Sequence, residues 1–156
     1  MKTLKILLGS VALILASSAT VKADLLIAGP IPANIRNGTI VCSAFNLNPD
    51  GTGPETVEVI LQDANNQVLN SSDNTCLLNN GILVGGHSCS LTVILRNGTD
   101  PNGVAVASPF VCDIASASTN GGQNRIPIRG SICETNNNEG KSTACLQALL
   151  NNETSP

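Results

Sequence analysis

Tryptophan and tyrosine are absent from this chain, and only Phe45 and Phe110 supply aromatic surface. Sites that stack a sugar or an unpaired base on an exposed ring are disfavoured by that absence. The apolar interior has to be assembled from Val, Ile, Leu and Ala instead. Histidine is nearly as scarce. His87 is the only one, so a single imidazole is available as a general base. Lysine and arginine together number 8 against 11 acidic residues, a formal charge of −3. That sign disfavours a basic-patch contact with nucleic acid or anionic lipid. The longest apolar run also falls short of the roughly 20 residues that a membrane-spanning helix needs.

That run belongs to a different kind of segment. Met1 to Lys5 is short and basic, Ile6 to Ala16 is apolar apart from Gly9 and Ser10, and Val21-Lys22-Ala23 ends in small residues. Basic, apolar and small, in that order, describe a secretory signal. Cleavage after Ala23 would remove Lys2, Lys5 and Lys22. Arg36, Arg96, Arg125, Arg129 and Lys141 would then stand against all eleven acids, a charge of −6. The apolar run does not end in a cysteine for lipid attachment, and residues 151–156 form no hydrophobic tail. The expected localisation is therefore secreted or periplasmic, with no membrane anchor after cleavage. The expected division is a signal peptide over 1–23, a β-sandwich domain over 24–135, and a C-terminal loop, short helix and tail over 136–156.

Turn signals punctuate the mature part. Asn-Gly occurs at residues 37, 80, 97, 102 and 120, with Asp50-Gly51 and Gly85-Gly86 besides. Such pairs accept the positive φ of tight turns. Short β-rich runs lie between them: Thr39 to Leu47, Thr56 to Gln62, Ser88 to Leu95, Val104 to Ile114 and Ile126 to Cys133. Thr56 to Gln62 alternates cleanly, with Val57, Val59 and Leu61 on one face. Leu25 to Ala28, Gln67 to Leu69 and Gly81 to Val84 are weaker candidates. About seven short strands without a long helical pattern indicate an all-β chain, an antiparallel β-sandwich of immunoglobulin-like or Greek-key kind. The core tryptophan and tyrosine corner of immunoglobulin domains are missing, so no family is assigned. Leu146, Leu149 and Leu150 sit at helical spacing after Ser142, which predicts a short C-terminal helical turn over Thr143 to Leu150. Arg-Asn-Gly-Thr occurs at both Arg36 and Arg96, a match short enough to be chance.

All six cysteines fall in the mature part: Cys42, Cys76, Cys89, Cys112, Cys133 and Cys145. No C-x-x-C pair is present, and with a single histidine a tetrahedral zinc set is disfavoured. An even count in an exported chain points to three disulfides. Of the 15 possible pairings, strand placement favours one. Cys42 and Cys112 lie mid-strand in the two most apolar runs and would bridge two sheets. Cys76 and Cys89 flank a loop, and Cys133 and Cys145 would pin the C-terminal turn.

Other candidate sites are weak. Asn46 to Gly53 resembles a calcium loop in its alternating oxygen side chains, but asparagine leads it. Val57 stands where the bidentate glutamate belongs, with Glu55 and Glu58 out of register. A Gly/Pro-rich connection between strands explains it better. His87 lies in a Gly-rich turn; Ser88, Ser90 and Asp113 are conceivable partners, but no nucleophile-elbow motif is present. Asn37, Asn70, Asn97 and Asn152 begin N-x-S/T triplets, which matter only in a glycosylating host. The signal has a bacterial look, which favours chance occurrence.

No catalytic residue, cofactor or metal site is therefore expected. The leading expectation is a non-enzymatic exported sandwich, structural or protein-binding, using strand edges or loops. A secreted enzyme inhibitor or hydrolase is the alternative, with the Cys76–Cys89 loop or His87 as its centre. On export the mature chain is expected to begin at Asp24, which N-terminal sequencing checks; a start elsewhere would contradict the signal boundary.

Overall fold

A computed structural model describes residues 23–118, 128–136 and 142–150. Among the described residues ten strands follow one another: β1 (Ala23–Ile31), β2 (Gly38–Asn46), β3 (Glu55–Gln62), β4 (Asp73–Asn74), β5 (Ile82–Leu83), β6 (Ser88–Ile94), β7 (Phe110–Ser118), β8 (Ile128–Asn136), β9 (Ser142–Gln147) and β10 (Leu149–Leu150). They form two five-stranded sheets, ordered β10-β1-β7-β3-β5 and β4-β6-β2-β8-β9, and every pairing is antiparallel. The sheets pack face to face as a sandwich. Among the described residues no helix is long and apolar enough to cross a membrane.

Alternation decides which side chains meet between the sheets. Val57, Val59 and Leu61 of β3 turn inward, as do Cys42 and Ala44 of β2, Leu91 and Val93 of β6, and Cys112 and Ile114 of β7. Of the two phenylalanines only Phe110 is buried, while Phe45 stands on the outer face, 39% exposed. The core is thus aliphatic, with one ring. Cys42 and Cys112 are joined at its centre, their Cα atoms 5.9 Å apart. Both side chains are fully buried. β2 and β7 are the middle strands of their sheets, so this bond ties the two layers at their midlines.

Two expectations need correction. Val104 to Ile114 is not one strand: β7 begins at Phe110, and residues 104–109 form a loop with a single bridge, Thr99 to Ala105. That loop is held by Asp100 and Asp63, whose carboxylates accept from the Val104 and Ala107 N–H groups. The helical turn over Thr143 to Leu150 is also absent; the segment is β9 and β10, parts of the two sheets rather than a separate tail. Leucine spacing favours a helix locally, but tertiary pairing overrides so short a preference. Cys145 stands directly opposite Cys133 in the β8–β9 register and is bonded to it, with Cα atoms 4.1 Å apart. Ala144 and Ala148 then fall on the core side. The Ala148 N–H donates to the Gly130 carbonyl at 2.8 Å at the point where the chain passes from one sheet to the other. A Cβ at Gly130 would meet the tip of the Ile114 side chain and crowd Ala148, so a larger residue there requires Ile114 to move. Pro127 and residues 137–141 lie outside the described residues.

One end of the sandwich is held by two buried carboxylates. Asp63 Oδ1 accepts from the Asn65 and Gln67 N–H groups (2.8 and 2.9 Å), and Oδ2 from Ala107 N–H (3.0 Å). Asp100 Oδ1 accepts from Asn102 and Val104 N–H, each at 2.9 Å, and Oδ2 from the Asn70 N–H and side-chain amide. Each carboxylate shapes its own turn and ties it to another loop. Burial alone would raise both pKa values, but the converging donors outweigh it and hold both below the ordinary range.

A depressed folded-state pKa stabilises the fold above the unfolded value of about 3.9, and the contribution is lost as pH falls through the folded value. Stability measured by chemical denaturation is therefore expected to hold at neutral pH and to fall below about pH 4. Asp63→Ala and Asp100→Ala, which orphan buried donors, should each cost about 2–4 kcal/mol and flatten that acid limb. An unchanged acid limb in the double variant would contradict the assignment.

Candidate functional site

The opposite end carries the feature most suited to contact with another molecule. After β4 the chain turns through a 3₁₀ segment, Thr75–Gly81, before β5. The Asn74 side chain accepts from Cys76 N–H at 3.0 Å and caps the turn. Thr75 Oγ1 accepts from Ser90 N–H and donates to the Ser90 carbonyl (2.8 and 3.1 Å), fastening the turn to β6. Cys76, buried, is bonded to Cys89 of β6, with Cα atoms 4.8 Å apart. Beyond this anchor the loop opens. Leu77 and Leu78 are 70% and 63% exposed. Asn79 and Asn80 follow with φ of 53° and 58°, a left-handed pair that asparagine tolerates better than most residues. Two leucines are thus held out in water on a loop fixed at its base.

Beside them lies a cavity of about 170 Å³, lined by Thr75, Leu78, Ile82, Val84, His87 and Ser88 among others. Pockets for drug-sized ligands run from roughly 300 Å³ upward, so this one suits a single side chain better. His87 is exposed in the turn closed by its N–H to the Val84 carbonyl (3.2 Å), and its own carbonyl accepts from Asn46 N–H (3.0 Å). Of its conceivable partners only Ser88 lines the same cavity. Ser88 and Ser90 point to the outer face of the β4-β6-β2-β8-β9 sheet, and Asp113 lies on the outer face of the other sheet. The core separates Asp113 from His87 and both serines.

The Asn46 to Gly53 segment is built around its amides. Asn46, fully buried, donates from Nδ2 to the Gly53 and Leu83 carbonyls, each at 2.8 Å, and accepts from Asn48 N–H at Oδ1. Asn48 Nδ2 donates to the same Gly53 carbonyl at 2.9 Å. Two amides thus occupy the Gly53 oxygen, and the Gly51 N–H reaches the Gly85 carbonyl while Gly85 N–H reaches Thr52. The loop therefore fastens the β2–β3 connection to the turn bearing His87. Glu55, at its end, is buried, and Glu58 is exposed on the opposite face of β3. No three histidine, cysteine, aspartate or glutamate residues are grouped as metal ligands among the described residues.

The three described N-x-S/T asparagines are exposed at the carboxylate-held end. Asn70 is engaged with Asp100, and Asn97 has φ of 53°. Asn152 lies outside the described residues. The two Arg-Asn-Gly-Thr copies abut there, Asn97 N–H donating to the Arg36 carbonyl at 2.9 Å. One copy leads into β2 and the other follows β6, so they occupy non-equivalent places.

The sequence signal missed at this end of the molecule was Leu77-Leu78. A leucine pair between two bonded cysteines, followed by Asn-Asn-Gly, marks an apolar tip on a tethered turn. Compared with known protein families, curated proteins and solved structures, the chain matches none.

Removing the Cys76–Cys89 bond in a Cys76→Ser, Cys89→Ser variant is expected to cost about 3 kcal/mol. It should also open the loop to proteolysis at Leu77-Leu78 before the rest of the chain is cut. Mass spectrometry of limited digests reads the site; first cleavage elsewhere would show that the bond does not order the loop.

Proposed function

We propose that this protein is an exported, non-enzymatic β-sandwich, a structural or protein-binding component of the cell envelope or extracellular matrix. The observation that carries the reading is the pair of exposed leucines on a disulfide-framed, hydrogen-bonded loop. Water-exposed leucines gain free energy when a partner covers them, and a loop already held in place loses little entropy on binding. Sheet edges add a second route. β4, β5 and β10 are two residues long, but β9 presents six residues along an edge, long enough for a partner strand to add by backbone hydrogen bonding. Three disulfides are consistent with an oxidising, extracytoplasmic compartment. A signal peptide over 1–23 and secretion or release to the periplasm complete this reading, and so does an immunoglobulin-like or Greek-key relation for the sandwich.

The same tethered loop favours a second reading, a secreted enzyme inhibitor. Leu78 is extended, with φ −65° and ψ 151°, but the left-handed pair follows at once. An inhibitor of this kind would insert Leu77 and Leu78 rather than a long extended strand.

Affinity capture from native extracellular material tests the first reading. Leu77→Asp, Leu78→Asp is expected to lose the partner retrieved by the unaltered protein while keeping its unfolding midpoint. A clean preparation that retrieves no partner and remains monomeric would count against a binding role. A hydrolase and protease panel tests the second; no effect at stoichiometric excess ends it. Hydrolysis that disappears in His87→Ala would overturn the non-enzymatic assignment.

A further inference from the structure

The two outer faces of the sandwich differ in chemistry. On the β4-β6-β2-β8-β9 sheet, register places Ser90, Ser43 and Ser131 in one row and Ile94, Thr39 and Thr135 in another. Val41, Phe45 and Arg129 share that face, so hydroxyls there are mixed with apolar side chains and a cation. On the β10-β1-β7-β3-β5 sheet, the central row runs Leu149, Ile27, Asp113, Ile60 across four strands, and the next runs Leu25, Ala115, Glu58. Leu25 is 40%, Ile82 47% and Leu149 75% exposed. The five strands of this sheet contain no lysine, arginine or histidine. Its outer face is thus an aliphatic surface with two carboxylates near the middle.

We propose that this face docks a partner protein whose own apolar surface carries a basic side chain at its centre. The inference rests on the protein-binding reading but uses a different surface from the Cys76–Cys89 loop. Charge is the first argument. Asp113 is flanked in its row by Ile27 and Ile60, and burial among them pushes its carboxyl up. Glu58 is its diagonal neighbour, about 7–8 Å away in an antiparallel sheet. Two acids set in aliphatic surroundings are best relieved by an incoming guanidinium or ammonium. A second copy of this chain, stacked by a two-fold axis, would bring the same acids against themselves and is disfavoured on that ground. Size is the second argument. Strand spacing and rise give a footprint on the order of 500 Å² before side-chain relief is added, against roughly 800 Å² per partner in a standard interface. Apolar patches of several hundred Å² on a folded chain mark contact sites.

Selection of a random-peptide display library on the immobilised, oxidised mature chain tests the proposal. Enriched peptides are expected to be apolar with at least one Lys or Arg. They should bind at least about fivefold more weakly to Asp113→Asn and to Ile27→Ser, Ile60→Ser, and as tightly as before to Leu77→Ser, Leu78→Ser. Glu58→Gln, at an exposed position, should weaken the same peptides and guards against a folding defect at Asp113. Enrichment without basic residues, indifference to Asp113→Asn and Glu58→Gln, or no peptide enriched on this face would overturn the proposal. So would a dimer in sedimentation that Ile27→Ser, Ile60→Ser dissolves, since the occupant would then be a second copy. Peptides lost only with the leucine variant would leave the loop reading standing and remove this one.

Discussion

The bond between Cys42 and Cys112 is the constraint around which the sandwich is organised. It joins the middle strand of one sheet to the middle strand of the other, inside a core that contains a single aromatic ring. Aliphatic side chains bury less surface each than Trp or Tyr, so the layers gain less from packing alone. Closing a loop of this length takes about 4 kcal/mol of conformational freedom from the unfolded chain in the loop-entropy account. The other two bonds act locally, one fixing a projecting turn and one holding an edge strand to its neighbour.

With the midline tied, the two ends of the sandwich are free to differ. At one end Asp63 and Asp100 gather backbone donors from several loops and pin them together. At the other, Asn46 organises the β2–β3 connection with an uncharged amide, while the Cys76–Cys89 turn carries leucines outward. The two faces are also unlike, one hydroxyl-bearing and one aliphatic with an acidic centre. A molecule with such contrasts has directions. Its candidate contact surfaces are the tethered loop, the β9 edge and the aliphatic face, which lie on different sides of the sandwich.

Much of this was legible from residue order. Alternation in Thr56 to Gln62 located β3 within a residue, and the Asn-Gly and Gly-Gly pairs marked many of the reversals. The cysteine pairs Cys42–Cys112 and Cys76–Cys89 could be read from strand membership and loop spacing. Other features were not legible. Leu146, Leu149 and Leu150 have helical spacing, yet the partner strand β8 and the bond to Cys133 hold Ser142–Gln147 extended. Asp63 and Asp100 look like ordinary loop acids in the sequence, because the donors that bury them come from residues up to 44 positions away. The acidic centre of the aliphatic face was equally hidden: Glu58 and Asp113 are far apart in the chain and become neighbours only through the β3–β7 register.

Composition, strand-length alternation and the cysteine count determined what kind of molecule to expect: all-β, cross-linked and poor in aromatics. Those properties are local or additive, so a linear reading suffices for them. The tertiary structure decided which sheet each strand joins, that the last strands belong to the body of the sandwich, and which apolar residues remain outside. Side-chain facing in a sheet depends on register, and register is settled by partners distant in sequence.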